Sequence, residues 1–153
     1  MTLQQLLNKK EFIIVATCNL EGQPNAVPKF FLSADENFIY LVDYTVGKTW
    51  ENLRINPRIS LSLSDTNELK GYRINGAVEI IEKGPVYEKL AKEFEDRKME
   101  LSIERVIRGV QREKKHVHFD MEMPPKFVIF KVKIQEITEI NPQGKLRRTV
   151  IGP

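Results

Sequence analysis

Polar and apolar residues alternate with a period of two along much of this chain. Ile59, Leu61 and Leu63 are separated by Ser60, Ser62 and Ser64, which predicts a strand with one buried face. Residues 72–81 predict another, with Ile74, Val78 and Ile80 on one side and Gly76 in the middle. A glycine inside a strand marks a bulge or a sharp bend. Val128, Phe130, Val132 and Ile134 alternate with Ile129, Lys131, Lys133 and Gln135 and predict a last strand over 127–134. Phe12–Cys18 is instead a continuous apolar run, as expected of a strand buried on both faces. The turn Glu21-Gly22-Gln23-Pro24 joins it to a strand over 25–32, and residues 33–37 turn that strand into Phe38–Asp43.

Elsewhere the period changes to 3.6. Thr2 caps a short first helix with Leu3, Leu6 and Leu7 on its apolar side. A second helix over 49–55, with Thr49 as its N-cap, is stopped by Asn56-Pro57. After Gly84-Pro85, Tyr87, Leu90, Ala91 and Phe94 carry one helical stripe. Ile103, Val106, Ile107 and Val110 carry another, in a separate helix over 102–111. That stripe must bury against its own barrel or a partner chain. Six strands with helices inserted between them predict a mainly β protein: a small antiparallel six-stranded barrel with flanking helices. A parallel doubly wound sheet would need a helix after nearly every strand. Residues 1–153 read as one domain with a helical insertion over about 86–115.

Composition adds limits. With 153 residues and 41% hydrophobic content the chain can fill a core. The net charge of +3, from 24 basic and 21 acidic residues, is too small to imply nucleic acid. The basic clusters at 105–115 and 145–148 read as solvated faces, as does the run Glu93, Glu95, Asp96 and Glu100. No apolar run reaches the length of a membrane span, and the opening MTLQQLLNKK lacks a signal-peptide centre. Cys18 is the single cysteine, and IIVATC around it predicts a buried, inert thiol. A cytoplasmic protein is expected.

The chemistry lies in YTVGKTWENL. Gly47-Lys48-Thr49 copies the end of a nucleotide-binding P-loop, but the first glycine of that motif would fall on Val42. The nucleotide-hydrolase reading therefore fails. A phosphate site survives it, because free N–H groups at a helix start attract anions, Lys48 adds charge and Thr49 a hydroxyl. The segment GQPNAVPKFFLSADENFIYLVDYTVGKTWENLRINPRISLSL, followed by GYRINGAVEI, resembles the FMN-binding split-barrel superfamily, which includes the pyridoxamine 5'-phosphate oxidases. The resemblance covers residues 11–94 and, loosely, the last strand. It implies a split barrel with Greek-key character that is a homodimer holding FMN in the groove between subunits. Lys48 and Thr49 match phosphate-holding positions. Val27, Pro28 and Lys29 match positions lining the isoalloxazine ring, and Val42 and Asp43 match the strand end that meets ribityl and ring. Residues 71–73, with Tyr72, would approach the flavin of the other chain.

The vitamin oxidases carry arginine where Val27 stands, and their C-terminal Arg- and Trp-rich stretch has no counterpart here. Oxidation of pyridoxamine phosphate is therefore not expected. Lys29 offers either a cation near the ring, which would stabilise reduced flavin, or a solvent-facing strand residue. The leading function is an FMN-dependent oxidoreductase acting on a small molecule. An electron carrier without its own substrate uses the same residues. A deazaflavin cofactor or heme on the same fold is the next alternative, with His116 or His118 as the axial ligand. His116, His118, Asp120 and Glu122 alternate on one side of an extended segment, yet lack zinc-like spacing and read as a polar loop. No metal site and no catalytic triad is expected.

Overall fold

The computed structural model describes residues 1–111 and 126–152. The contacts divide the chain into two compact units, one of residues 1–82 and 126–153, the other of residues 83–125.

The first unit is a barrel. Its elements are α1 (Leu3–Asn8), β1 (Phe12–Cys18), β2 (Pro24–Ala34), β3 (Phe38–Asp43), α2 (Lys48–Ile55), β4 (Arg58–Asp65) and β5 (Lys70–Ile81); after the insertion follow β6 (Val128–Ile140) and β7 (Leu146–Val150). All pairings are antiparallel, in the order β3-β2-β1-β4-β5-β6-β7, and β3 also pairs with β6. That last pairing closes six strands into the expected barrel. The strands β1, β2 and β3 form a meander, and β4 returns to lie beside β1, which is the Greek-key arrangement. The first half of β6 has β3 on its free edge, and the second half has β7.

Alternation fills the barrel as the pattern predicts. Ile59, Leu61, Leu63, Ile74, Val128, Phe130, Val132 and Ile134 all belong to one buried cluster, with Ile13, Val15, Phe31, Ile39 and Leu41. Thr2 caps α1 through a capping box with Gln5, which sends Leu6 and Leu7 into the same cluster. Gly76 lies opposite a bulge: Asn75 pairs with Glu136 and Gly76 with Ile134, so Gln135 is the extra residue. A Cβ on Gly76 would stand 2.4 Å from the Lys133 carbonyl oxygen, so only glycine fits.

Four expectations need correction. β1 is not buried on both faces: Phe12 is 41% and Ile14 46% exposed. Barrel closure gives every strand an outside, and apolar residues stand on this one. β6 runs six residues past the predicted 134, because the bulge shifts the register without ending the pairing. β7 is a seventh strand within what read as a basic tail; the turn Asn141-Pro142-Gln143-Gly144 folds it back on β6, with Gly144 at φ 77. The charged residues of β7 hid it from a hydrophobic pattern.

The second unit's described part is one helix, α3 (Pro85–Gln111), where two were expected. No glycine or proline interrupts residues 95–102, and their Glu, Lys, Arg and Met are strong helix formers. Ile103, Val106, Ile107 and Val110 remain half or more exposed on it. Glu95, Asp96 and Glu100 are exposed as expected.

Candidate functional site at the start of the second helix

The turn between β3 and α2 is built on one carboxylate. Asp43 is fully buried. Its Oδ1 accepts hydrogen bonds from the Thr45 backbone N–H at 3.1 Å, the Thr45 hydroxyl at 2.8 Å and the Val46 N–H at 3.2 Å. It also accepts from the Lys29 ammonium at 2.8 Å. Lys29, only 7% exposed, donates in addition to Thr45 Oγ1 at 2.9 Å. The carboxylate holds Val46 at φ 45, in the left-handed region that β-branched residues avoid. Asp43 Oδ2 has no hydrogen-bond partner among the described residues.

The chain leaves this turn into α2. Its N-cap is Gly47, not Thr49, and Gly47 offers no side-chain cap. The helix begins one residue earlier than the pattern predicts because the Asp43 turn already bends the backbone there. The first intrahelical bond runs from the Glu51 N–H to the Gly47 carbonyl at 3.0 Å, so the N–H groups of Lys48, Thr49 and Trp50 have no acceptor within the helix. A Cβ on Gly47 would meet nothing within 4 Å, so this end is open. Lys48 is half exposed, with Glu51 at 3.9 Å. Thr49 is 2% exposed, and its Oγ1 accepts from Asn25 Nδ2 at 3.2 Å. That bond occupies a lone pair and leaves the hydroxyl proton for another acceptor. The Asn52 side-chain amide reaches Thr17 Oγ1 at 3.1 Å and ties α2 to β1.

Lys48 and Thr49 therefore stand together at a helix start, as expected, and Lys29 and Asp43 stand together in the turn before it. Lys29 is not the solvent-facing residue of one reading, and its charge is already balanced by Asp43. Val27 is half-buried and Pro28 exposed on β2. Val42 is fully buried beside its register partners Phe30 and Ile129, so its side chain is not presented at a surface. Tyr72 points into the barrel core. Its burial, and next the negative charge of Glu139, raise its phenol above the ordinary value. The outward neighbour Arg73 faces solvent instead, by simple strand alternation. Cys18 is half-buried rather than enclosed, with Asn56 Nδ2 3.4 Å from its sulfur. His116, His118, Asp120 and Glu122 lie outside the described residues. Among the described residues no group of three or more His, Cys, Asp or Glu is placed to hold a metal. No described helix is long and apolar enough to cross a membrane.

Sequence reasoning missed Thr45 and Asn25. The spacing Asp43-x-Thr45 was a legible turn signal, whereas Asn25 meets Thr49 only through the fold.

The family model described as pyridoxamine 5'-phosphate oxidase matches residues 2–141. Among solved structures, HupZ of Group A Streptococcus is 24% identical, covers 99% of each chain and has a TM-score of 0.64. A pyridoxamine 5'-phosphate oxidase-related, FMN binding protein from Nostoc punctiforme is 16% identical, with 94% of this chain and 87% of that one covered and a TM-score of 0.58. A heme binding protein from Mycobacterium smegmatis is 17% identical, with 96% and 55% covered and a TM-score of 0.59. At these identities the likeness shows the fold. No curated protein matches the sequence.

Proposed function

This chain belongs to the pyridoxamine 5'-phosphate oxidase family, and we propose from that premise that it binds FMN and acts as an oxidoreductase on a small molecule. The observation that carries the reading is the open start of α2. There the N–H groups of Lys48, Thr49 and Trp50, the Thr49 hydroxyl and the Lys48 ammonium all offer donors to one anion. A phosphate monoester fits this donor set, which holds no carboxylate closer to Lys48 than Glu51 at 3.9 Å.

FMN, when bound, would supply the electron-transfer chemistry. The chain's part is to hold and orient it. Lys48 and Thr49 would take the phosphate, the Asp43 turn would fix the helix start, and Val27 and Pro28 would border the ring. Lys29 acts through Asp43 in this reading and lends the ring no free charge. We place the flavin in a groove between two copies of the chain, in a cytoplasmic homodimer. Pyridoxamine phosphate is not the proposed substrate, since Val27 offers no guanidinium.

The test is an FMN titration of purified protein, followed by flavin fluorescence and the visible spectrum. Wild type should bind saturably, and Lys48→Ala with Thr49→Val should weaken binding by about tenfold or more, as expected for losing a charged hydrogen bond. Equal binding by both proteins would remove the phosphate from this helix start. Absence of FMN binding, with a deazaflavin or heme bound instead, would replace the cofactor on the same fold.

A further inference from the structure

The first turn of α2 is bracketed to the β1–β2 hairpin by two side-chain amides. Asn25 on β2 donates from Nδ2 to Thr49 Oγ1 at 3.2 Å, and Asn52 on α2 donates from Nδ2 to Thr17 Oγ1 on β1 at 3.1 Å. Thr17 and Asn25 are register partners across the hairpin. Thr49 and Asn52 are three residues apart on the helix and share one face of it. The four residues therefore close a square, in which Thr17, Thr49 and Asn52 are buried and Asn25 half-buried.

The two bonds differ in what they act on. Asn52 is a donor from the helix, and its bond anchors α2 to the sheet. Asn25 is a donor from the sheet, and its bond reaches the one buried side chain of the open helix start. A hydroxyl has one proton and two lone pairs. The Asn25 amide occupies a lone pair of Thr49, and no acceptor among the described residues takes the Thr49 proton. A buried donor without an acceptor costs free energy, so an oxygen arriving at the helix start is drawn to it. Thr49 is β-branched and stiff at χ1, so the amide contact selects the direction in which its hydroxyl donates.

We propose that Asn25 is a positioning residue that sets this site's preference for a phosphorylated ligand, by holding the Thr49 hydroxyl with its proton toward the bound phosphate. The inference rests on the reading of the α2 start as the FMN phosphate site. The test compares FMN with riboflavin, which has the same ring and ribityl chain but no phosphate, by flavin fluorescence on the full chain. Wild type should bind FMN about tenfold or more tighter than riboflavin. Asn25→Ala should weaken FMN binding about three- to tenfold and leave riboflavin binding unchanged. Asn25→Asp, equal in size but with an acceptor in place of the donor, should draw the Thr49 proton to itself and weaken FMN about tenfold or more, again without loss of riboflavin. In a Thr49→Val background, Asn25→Ala should cost nothing further. Unchanged riboflavin binding shows that each variant is folded. Equal losses for both ligands would make Asn25 structural only, and an undiminished loss of FMN in the Thr49→Val background would make it independent of the hydroxyl. Either result, or full FMN affinity in both Asn25 variants, overturns the inference and leaves the phosphate site standing. Wild type that binds FMN no better than riboflavin, or binds neither, overturns the phosphate site and the inference with it.

Discussion

Lys29→Met tests the physical account of the Asp43 turn. In the native protein the ammonium lies 2.8 Å from Asp43 Oδ1, with the two side chains 7% and 0% exposed. At an effective dielectric of about 20 that separation corresponds to about 6 kcal/mol of attraction. Most of it only offsets the desolvation of both ions. Methionine fills similar volume but leaves the carboxylate buried, with only the hydroxyl and two N–H groups of Thr45 and Val46 around Oδ1. Removing one member of a buried pair costs about 3–5 kcal/mol, a large part of the ~5–15 kcal/mol that holds a domain folded. At about 2–4 °C per kcal/mol for a chain of this size, the melting temperature should fall by roughly 6–20 °C. Urea unfolding gives the free energy directly, provided the slope stays constant. The double variant Lys29→Met/Asp43→Asn should recover most of the loss, since no charge is then stranded. If Lys29→Met alone costs under about 1 kcal/mol, or the double variant is no better than the single, the pair is not the buried, mutually dependent one described here.

Two further outcomes follow from other parts of the barrel. Gly76→Ala should destabilise the protein by at least about 2 kcal/mol, read by chemical denaturation, because its Cβ would meet the Lys133 carbonyl at 2.4 Å and backbone must move. Tyr72 should keep its proton above pH 10, its burial and Glu139 having raised the phenol from its ordinary 10.0. A raised native value means this group's contribution to stability is whole below pH 10 and is lost as pH climbs through the higher value. An ultraviolet titration should show Tyr72→Phe missing one of the late-ionising phenols, and loss of an early one would refute the assignment.

Much of the barrel was legible because its causes are local and periodic. Ile59, Leu61 and Leu63, or Val128 to Ile134, declare an inside and an outside by alternation, and the structure seats them in the core. The Gly76 irregularity was legible for a related reason, since only a close backbone approach removes a side chain from mid-strand. Failures came where local pattern and environment part. The apolar run of β1 looked like a strand enclosed on both sides, yet Phe12 and Ile14 face outward. The charged β7 looked like a tail, because an edge strand held by backbone pairing needs no apolar face. At the site, Lys48 and Thr49 could be picked from their neighbours, but the register of the helix start could not, because Asp43 sets it from the preceding strand.

The sequence by itself determined the faces of the alternating strands, the turn between β1 and β2, and the presence of Lys48 and Thr49 at a helix start, since each depends on residues within a few positions of one another. The tertiary structure decided which charges meet. Lys29 and Asp43 are 14 residues apart in the chain and 2.8 Å apart in space, Asn25 reaches Thr49, and the Ala16–Ser60–Asn75–Glu136–Val150 row joins five strands. Long-range pairing of β-strands fixes those meetings, and no local pattern of residues encodes the partner.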